Sequence, residues 1–299
     1  MTTVVLPPLP EAASAALPPR PRRRRPRASA VAGVAMLAIV LGVTAVRPLL
    51  PGFDPFGQNL SRALLPPFTD PASPLGTDPL GRDLLSRIAL ASAVTLGITV
   101  AIVCLNAVIG TAVGILSGFF GGRIESGLSV LSNTVLAMPV VLLLIAVCAV
   151  VPPSAGLTIL VVGCTWWVGY ARVTRNVAAA LRGQDFVIAP RTQGADRFWS
   201  LIRHVLPNVW PHTLIIAATD IATIVLIEAS LEYLGLGVQP PTPSWGAMIF
   251  DGQKYLATDP WLVILPGLAM FLAVGGVQFL SQQFTAEARG AFLRKGARR

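Results

Sequence analysis

Three carboxylates, Asp220, Glu228 and Glu232, interrupt an otherwise apolar stretch from Thr213 to Leu236. At about 100° per residue, a helix would bring all three within an arc of roughly 120°. Each costs on the order of 2.5–3.5 kcal/mol in hydrocarbon unless it faces protein or water. A shared acidic face can line a translocation pathway and meet a cation such as a substrate's ammonium group. It can also bond neighbouring helices and fix their packing.

Other reactive residue types are sparse. Cys104, Cys148 and Cys164 all lie in apolar runs, without disulfide or metal-ligand spacing, and read as small core residues. His204 and His212 have no cysteine or carboxylate at ligand spacing, so no metal site is expected. The only lysines, Lys254 and Lys295, follow Gln253 and Arg294, which excludes a P-loop. No nucleophile, base and orienting group stand together. The chain is therefore not expected to be an enzyme or to hold a cofactor of its own.

The elements that must position these residues follow from composition. Of 299 residues, 54% are hydrophobic and 12% charged, about half the roughly 25% charge of a soluble domain. A soluble enzyme is excluded and a membrane protein is expected. Charge-free runs extend over 28–46, 88–122, 126–171 and 260–286, against about 20 apolar residues for one crossing. The first is longer than a signal peptide's apolar region and reads as an uncleaved span. Glycines in GFFGG end the second, and Pro152 with Pro153 divides the third run into two crossings. Thr213–Leu236 and Trp261–Leu280 complete six.

Six crossings place both termini on one side. With the termini inside, 18 of the 23 basic residues lie on that side and five outside, as the positive-inside bias requires. The expected organisation is a basic cytoplasmic tail over 1–28, a first span over 29–47 and an outer segment over 48–87. A five-helix core over 88–281 follows, containing an inner loop over 172–210, and a basic cytoplasmic C-terminus occupies 282–299. The arginine cluster from Arg20 to Arg27 is an orientation signal beside lipid, and nucleic acid is not an expected partner.

The inner loop carries the most informative polar stretch. Phe198, Leu201, Ile202 and Val205 recur at i, i+3, i+4 and i+7, which predicts one apolar helical face. Gly194 permits a turn before this helix, and Pro207 is expected to stop it. Such a helix can lie on lipid headgroups or dock into a groove on a cytosolic partner. Trp166 with Trp167, and Trp245 and Trp261, fit aromatic belts at the membrane interfaces. Prolines at 240, 241 and 243 predict a stiff outer turn.

Three segments resemble one family, the six-span permeases of binding-protein-dependent ABC importers, in the dipeptide, oligopeptide and nickel branch. Gly194 and the RHVLPN ending, Arg203–Asn208, are similar to that family's Glu-Ala-Ala loop, although Ile188, Ala189 and Pro190 stand at the Glu-Ala-Ala positions. There the proline is expected to shift the start of the first coupling helix. PLGTDPLGRDLLSR, Pro74–Arg87, resembles the branch's outer block, in which Asp78 and Arg82 could form an exposed pair worth about 0.3–0.5 kcal/mol on a solvated face. EASLEYLGLGVQPPTPSWGAMI, Glu228–Ile249, resembles its fifth span and outer loop.

The resemblance implies an all-α membrane protein of the cytoplasmic membrane, with six transmembrane helices in a type I ABC importer permease-like fold and a cytosolic coupling helix. It implies import of di- or oligopeptides, or of nickel or another small solute by the same machinery. The implied partners are a second permease subunit, two ATP-binding subunits that hold ATP and Mg, an extracytoplasmic substrate-binding protein and membrane lipid. Ala189, Arg191, Gly194, Ala195, Arg203, His204, Leu206 and Pro207 would couple to the ATPase. Asp220, Glu228 and Glu232 would line the substrate pathway, with a structural role also open to Glu228, and Asp78, Arg82, Asp83 and Trp245 would belong to the outer surface. An ion-coupled carrier or channel using the three carboxylates is the rival reading, and a non-transporting anchor is a third.

Overall fold

The computed structural model describes residues 28–296; the basic segments at 1–27 and 297–299 lie outside the described residues. Among those described, the regular structure is helical apart from two isolated bridges. In chain order the helices are α1 (Ala28–Val46), α2 (Leu84–Phe120), α3 (Gly122–Leu136), α4 (Val140–Cys148), α5 (Ala155–Thr165) and α6 (Val168–Leu181). They continue as α7 (Asp185–Thr192), α8 (Arg197–Ser200), α9 (Leu206–Tyr233), α10 (Trp245–Gly252) and α11 (Trp261–Gly296). Five helical segments are long and apolar enough to cross a bilayer, and there are six if α3 and α4 count as one bent crossing.

The 37-residue α2 is the central post. It starts sharply because the Asp83 carboxylate accepts the Ser86 amide at 2.9 Å, and it ends at Gly121, whose φ of +68° suits glycine. Its two ends serve different cores. Leu84 and Ile88 pack with Val225, Trp245 and Leu262, while Ile115 and Phe119 pack with Ala178, Val187 and Val205. In its lower half Gly110, Gly114 and Gly118, four residues apart, form a groove for α6. A Cβ on Gly114 would lie 2.5 Å from the Ala171 carbonyl oxygen, so the two backbones can meet only because no side chain intervenes. Thr174 donates from that contact to the Gly110 carbonyl at 3.2 Å.

Three expectations about the crossings require correction. The third crossing is bent by 73° between α3 and α4, because Pro139 has no amide to donate and restricts Met138 before it. The fourth does not end at Ala171. It runs from Ala155 to Leu181 with a break at Trp166–Trp167, so Arg172 and Arg175 lie on a helix rather than in a loop. Nor does Pro207 stop the helix before span five. α8 runs through a π-helical turn, Leu201–Val205, directly into α9, and Pro207 follows that turn at once, where the i to i+5 bonding already departs from the α-helical pattern its missing amide would break.

The connection between α1 and α2 is pinned rather than loose. Arg47 donates to Asp83 at 3.1 Å and to the Gly52 carbonyl at 2.9 Å. Arg87 donates to the Pro55 carbonyl at 3.3 Å, and Arg62 pairs with Asp70. The Ala72 amide, followed by Arg62, holds the Asp70 carboxyl below its usual range.

Candidate functional site

The stretch from Asp185 to Pro207 folds as two short helices at one end of the bundle. α7 is anchored by Val187, and α8 with its π turn by Ser200, Leu201 and Val205, all buried. Between them the chain reverses at Gly194, with φ +95°, and the Asp196 carboxylate accepts the Phe198 amide at 2.9 Å to start α8. Pro190 does not displace the start of α7. The helix begins at Asp185 and carries Pro190 in its last turn, with the Ala195 amide donating to the Pro190 carbonyl at 3.0 Å.

The single apolar face expected from Phe198, Leu201, Ile202 and Val205 is split. Leu201 and Val205 point into the core, whereas Phe198 and Ile202 are exposed. The i to i+5 bonding of the π turn shifts the register that an α-helix would keep. Ala189, Gly194, Arg203 and Pro207 are exposed, and Arg191, Ala195, His204 and Leu206 are half-buried. His204 does more than its position in a motif indicates. Its ring meets Trp199 edge-on at 5.3 Å and Phe186 at 6.2 Å, tying α7 to α8. Phe186 and Trp199 were missing from the expected set, although exposed aromatics beside a polar helix are a signal the sequence carries.

Span five divides its carboxylates. Glu228 and Glu232 are 1% and 3% exposed. Glu228 accepts from the Thr99 hydroxyl of α2 at 2.8 Å, and Glu232 accepts from the Gly246 amide of α10 at 3.2 Å. Asp220 is half-buried and accepts from the Trp166 indole at 3.3 Å. The buried Tyr170 hydroxyl is the other group that faces Asp220. The aromatic-belt reading of Trp166, Trp167 and Trp245 is thus corrected. Trp166 bonds a carboxylate at the α5–α6 break, Trp167 is buried, and Trp245 is fully enclosed, its indole donating to Ser92 at 3.2 Å. Ser92, Thr95 and Thr99, on one face of α2, supply these contacts; their polar spacing within an apolar run is the signal that the sequence holds for them.

The Asp78–Arg82 pair is not on a solvated face. The two side chains are 8% and 12% exposed, 2.6 Å apart, with Arg87 3.4 Å from the same Asp78 oxygen. Asp83 is half-buried and held by Arg47. Beside this block lies a cavity of about 230 Å³ lined by Arg82, Arg87, Asp251, Lys254 and apolar side chains including Met248 and Leu262.

Residues 110–285 match the family described as "Binding-protein-dependent transport system inner membrane component". The chain is 34% identical over 222 residues to the nickel transport system permease protein NikC of Escherichia coli (strain K12), covering 74% of this chain and 79% of that relative. It is 32% identical over 242 residues to the dipeptide transport system permease protein DppC of Haemophilus influenzae, covering 80% and 82%. It is 33% identical over 233 residues to the oligopeptide transport system permease protein OppC of Bacillus subtilis, covering 78% and 75%.

Proposed function

The chain belongs to the inner-membrane components of binding-protein-dependent transport systems, of the peptide and nickel type, and from that premise we propose that it is the permease subunit of an ATP-driven importer of di- or oligopeptides. It crosses the inner membrane several times, and both termini are cytoplasmic in this reading. A second permease subunit, two ATP-binding subunits and an extracytoplasmic binding protein complete the machine. Nickel import by the same machinery has the NikC similarity in its favour. The similarity to binding-protein-dependent permeases supports this reading over the ion-coupled carrier and the anchor.

One observation carries the coupling role. α7 and α8 leave Phe186, Phe198, Trp199 and Ile202 in the open while Val187, Leu201 and Val205 hold the pair to the bundle. That is the form of a rigid, apolar knob for a groove on an ATPase. Because α8, the π turn and α9 are one continuous run, movement of the knob is carried up α9 without a flexible joint. ATPase closure then biases the bundle between inward-open and outward-open packings. Asp220, the more accessible of the three carboxylates, is the pathway residue in this scheme, whereas Glu228 and Glu232 hold α9 to α2 and α10. The charged cavity around Arg82 and Lys254 is an outer-face contact for the binding protein.

Gly194→Val tests the scheme. A β-branched residue at φ +95° is strained by roughly 1–3 kcal/mol and rotates α8 away from α7. Expected is an uptake at least about tenfold lower in cells, with ATPase co-purification lost and the subunit still at normal level in the membrane. Normal uptake in this variant overturns the coupling role.

A further inference from the structure

A second cavity of about 230 Å³ lies between α2, α3 and α6, and none of its lining residues belongs to the coupling helices or to α9. Ser117 of α2, Ser129, Ser132 and Asn133 of α3, and Arg172 and Arg175 of α6 converge on it. Arg175 is engaged, 2.6 Å from Glu125 and donating to Ser129 at 3.4 Å. Arg172 is exposed and makes no ion pair among the described residues. Around this end of the three helices stand Arg123, Arg172, Arg175 and Arg182, with Glu125 the one carboxylate on α2, α3 or α6. The pocket therefore keeps a net positive charge and offers hydroxyl and amide donors beside a guanidinium without a counter-ion.

Its surroundings narrow the ligand. No residue of α3 is buried, and Val130, Leu131 and Leu136 are exposed apolar side chains along the same helix. Forked guanidinium donors with nearby hydroxyls match the several oxygens of a phosphate. Basic pockets between membrane helices are general binding places for acidic lipid headgroups. We propose that this pocket binds a phosphate group, through Arg172, Arg175 and the serines of α3. A phospholipid headgroup supplies the phosphate when the acyl chains lie along α3; inorganic phosphate is the other source of the same chemistry.

The test uses the assembled importer in detergent, followed by native mass spectrometry with phosphatidylglycerol, phosphatidylcholine or inorganic phosphate as the added probe. Wild type is expected to retain phosphatidylglycerol over phosphatidylcholine, and Arg172→Gln to weaken that retention about fivefold. Asn133→Asp keeps the shape of the side chain, places a negative charge in the pocket and is expected to weaken retention as much. If phosphate alone binds and both substitutions abolish its binding, the proposal stands with a soluble source. Retention of none of the three probes overturns it, as does binding that both substitutions leave unchanged. Disulfide capture of the second permease by a cysteine at position 129 also overturns it, because the pocket is then filled by protein.

Discussion

At one end of span five, Glu228 and Glu232 are polar side chains enclosed by helices; at the other, Phe198, Trp199 and Ile202 are apolar side chains left in the open. Both arrangements run against the ordinary distribution, in which charge is exposed and apolar surface is buried. The buried carboxylates each receive a donor from another helix, Glu228 from Thr99 of α2 and Glu232 from Gly246 of α10, so they serve the joint between α9, α2 and α10. The exposed aromatics keep much of their surface uncovered by this chain, Trp199 meeting only the His204 ring edge-on, so they point to a partner. The comparison separates residues that hold the bundle from residues that the bundle presents.

The contrast can be broken most forcefully at the sealed end. Trp245→Ala removes a fully buried indole and is expected to cost about 3–5 kcal/mol, read as a large fall in thermal midpoint of the purified complex. Thr99→Val sharpens the point with a near-isosteric change. It strips Glu228 of its donor at the 2.8 Å contact and is expected to cost about 1–3 kcal/mol in the same measurement, while ATPase binding is retained. Trp199→Ser lies at the opposite extreme. Its side chain is half in the open, 49% exposed as a residue, so the thermal midpoint should shift by no more than about 0.5 kcal/mol equivalent. ATPase co-purification and uptake should nevertheless fall. Loss of stability there with normal coupling would erase the distinction between the two ends.

The sequence made the crossings legible because hydrocarbon imposes a local rule: about 20 apolar residues in succession. The glycine stop after Phe120 and the division at Pro152–Pro153 were readable for the same local reason. The bend at Met138–Pro139 and the passage of the helix through Pro207 were less so, since a proline breaks a regular α-helical interior yet is tolerated where the bonding already departs from that pattern, and only the neighbouring turns decide which position it holds. The apolar repeat from Phe198 to Val205 was legible as a pattern, but its division between core and surface depended on a π turn that the repeat does not encode.

By itself, then, the sequence determined the membrane class, the apolar runs that supply the crossings, the absence of a P-loop and a family-like loop with a glycine reversal, because hydropathy and motif spacing act over a few residues. The tertiary structure alone decided that Trp245 is enclosed, that Asp78 and Arg82 are drawn with Arg87 into a largely enclosed charge cluster, and that Glu228 meets Thr99. The partners of Glu228 and Trp245 lie in different helices, 129 residues apart for Thr99 and Glu228 and 153 for Ser92 and Trp245. Which groups meet across such distances is set by how α2, α9 and α10 pack, and that packing turns on backbone approach at glycines such as Gly114, where the missing side chain, not any one that is present, admits the neighbour.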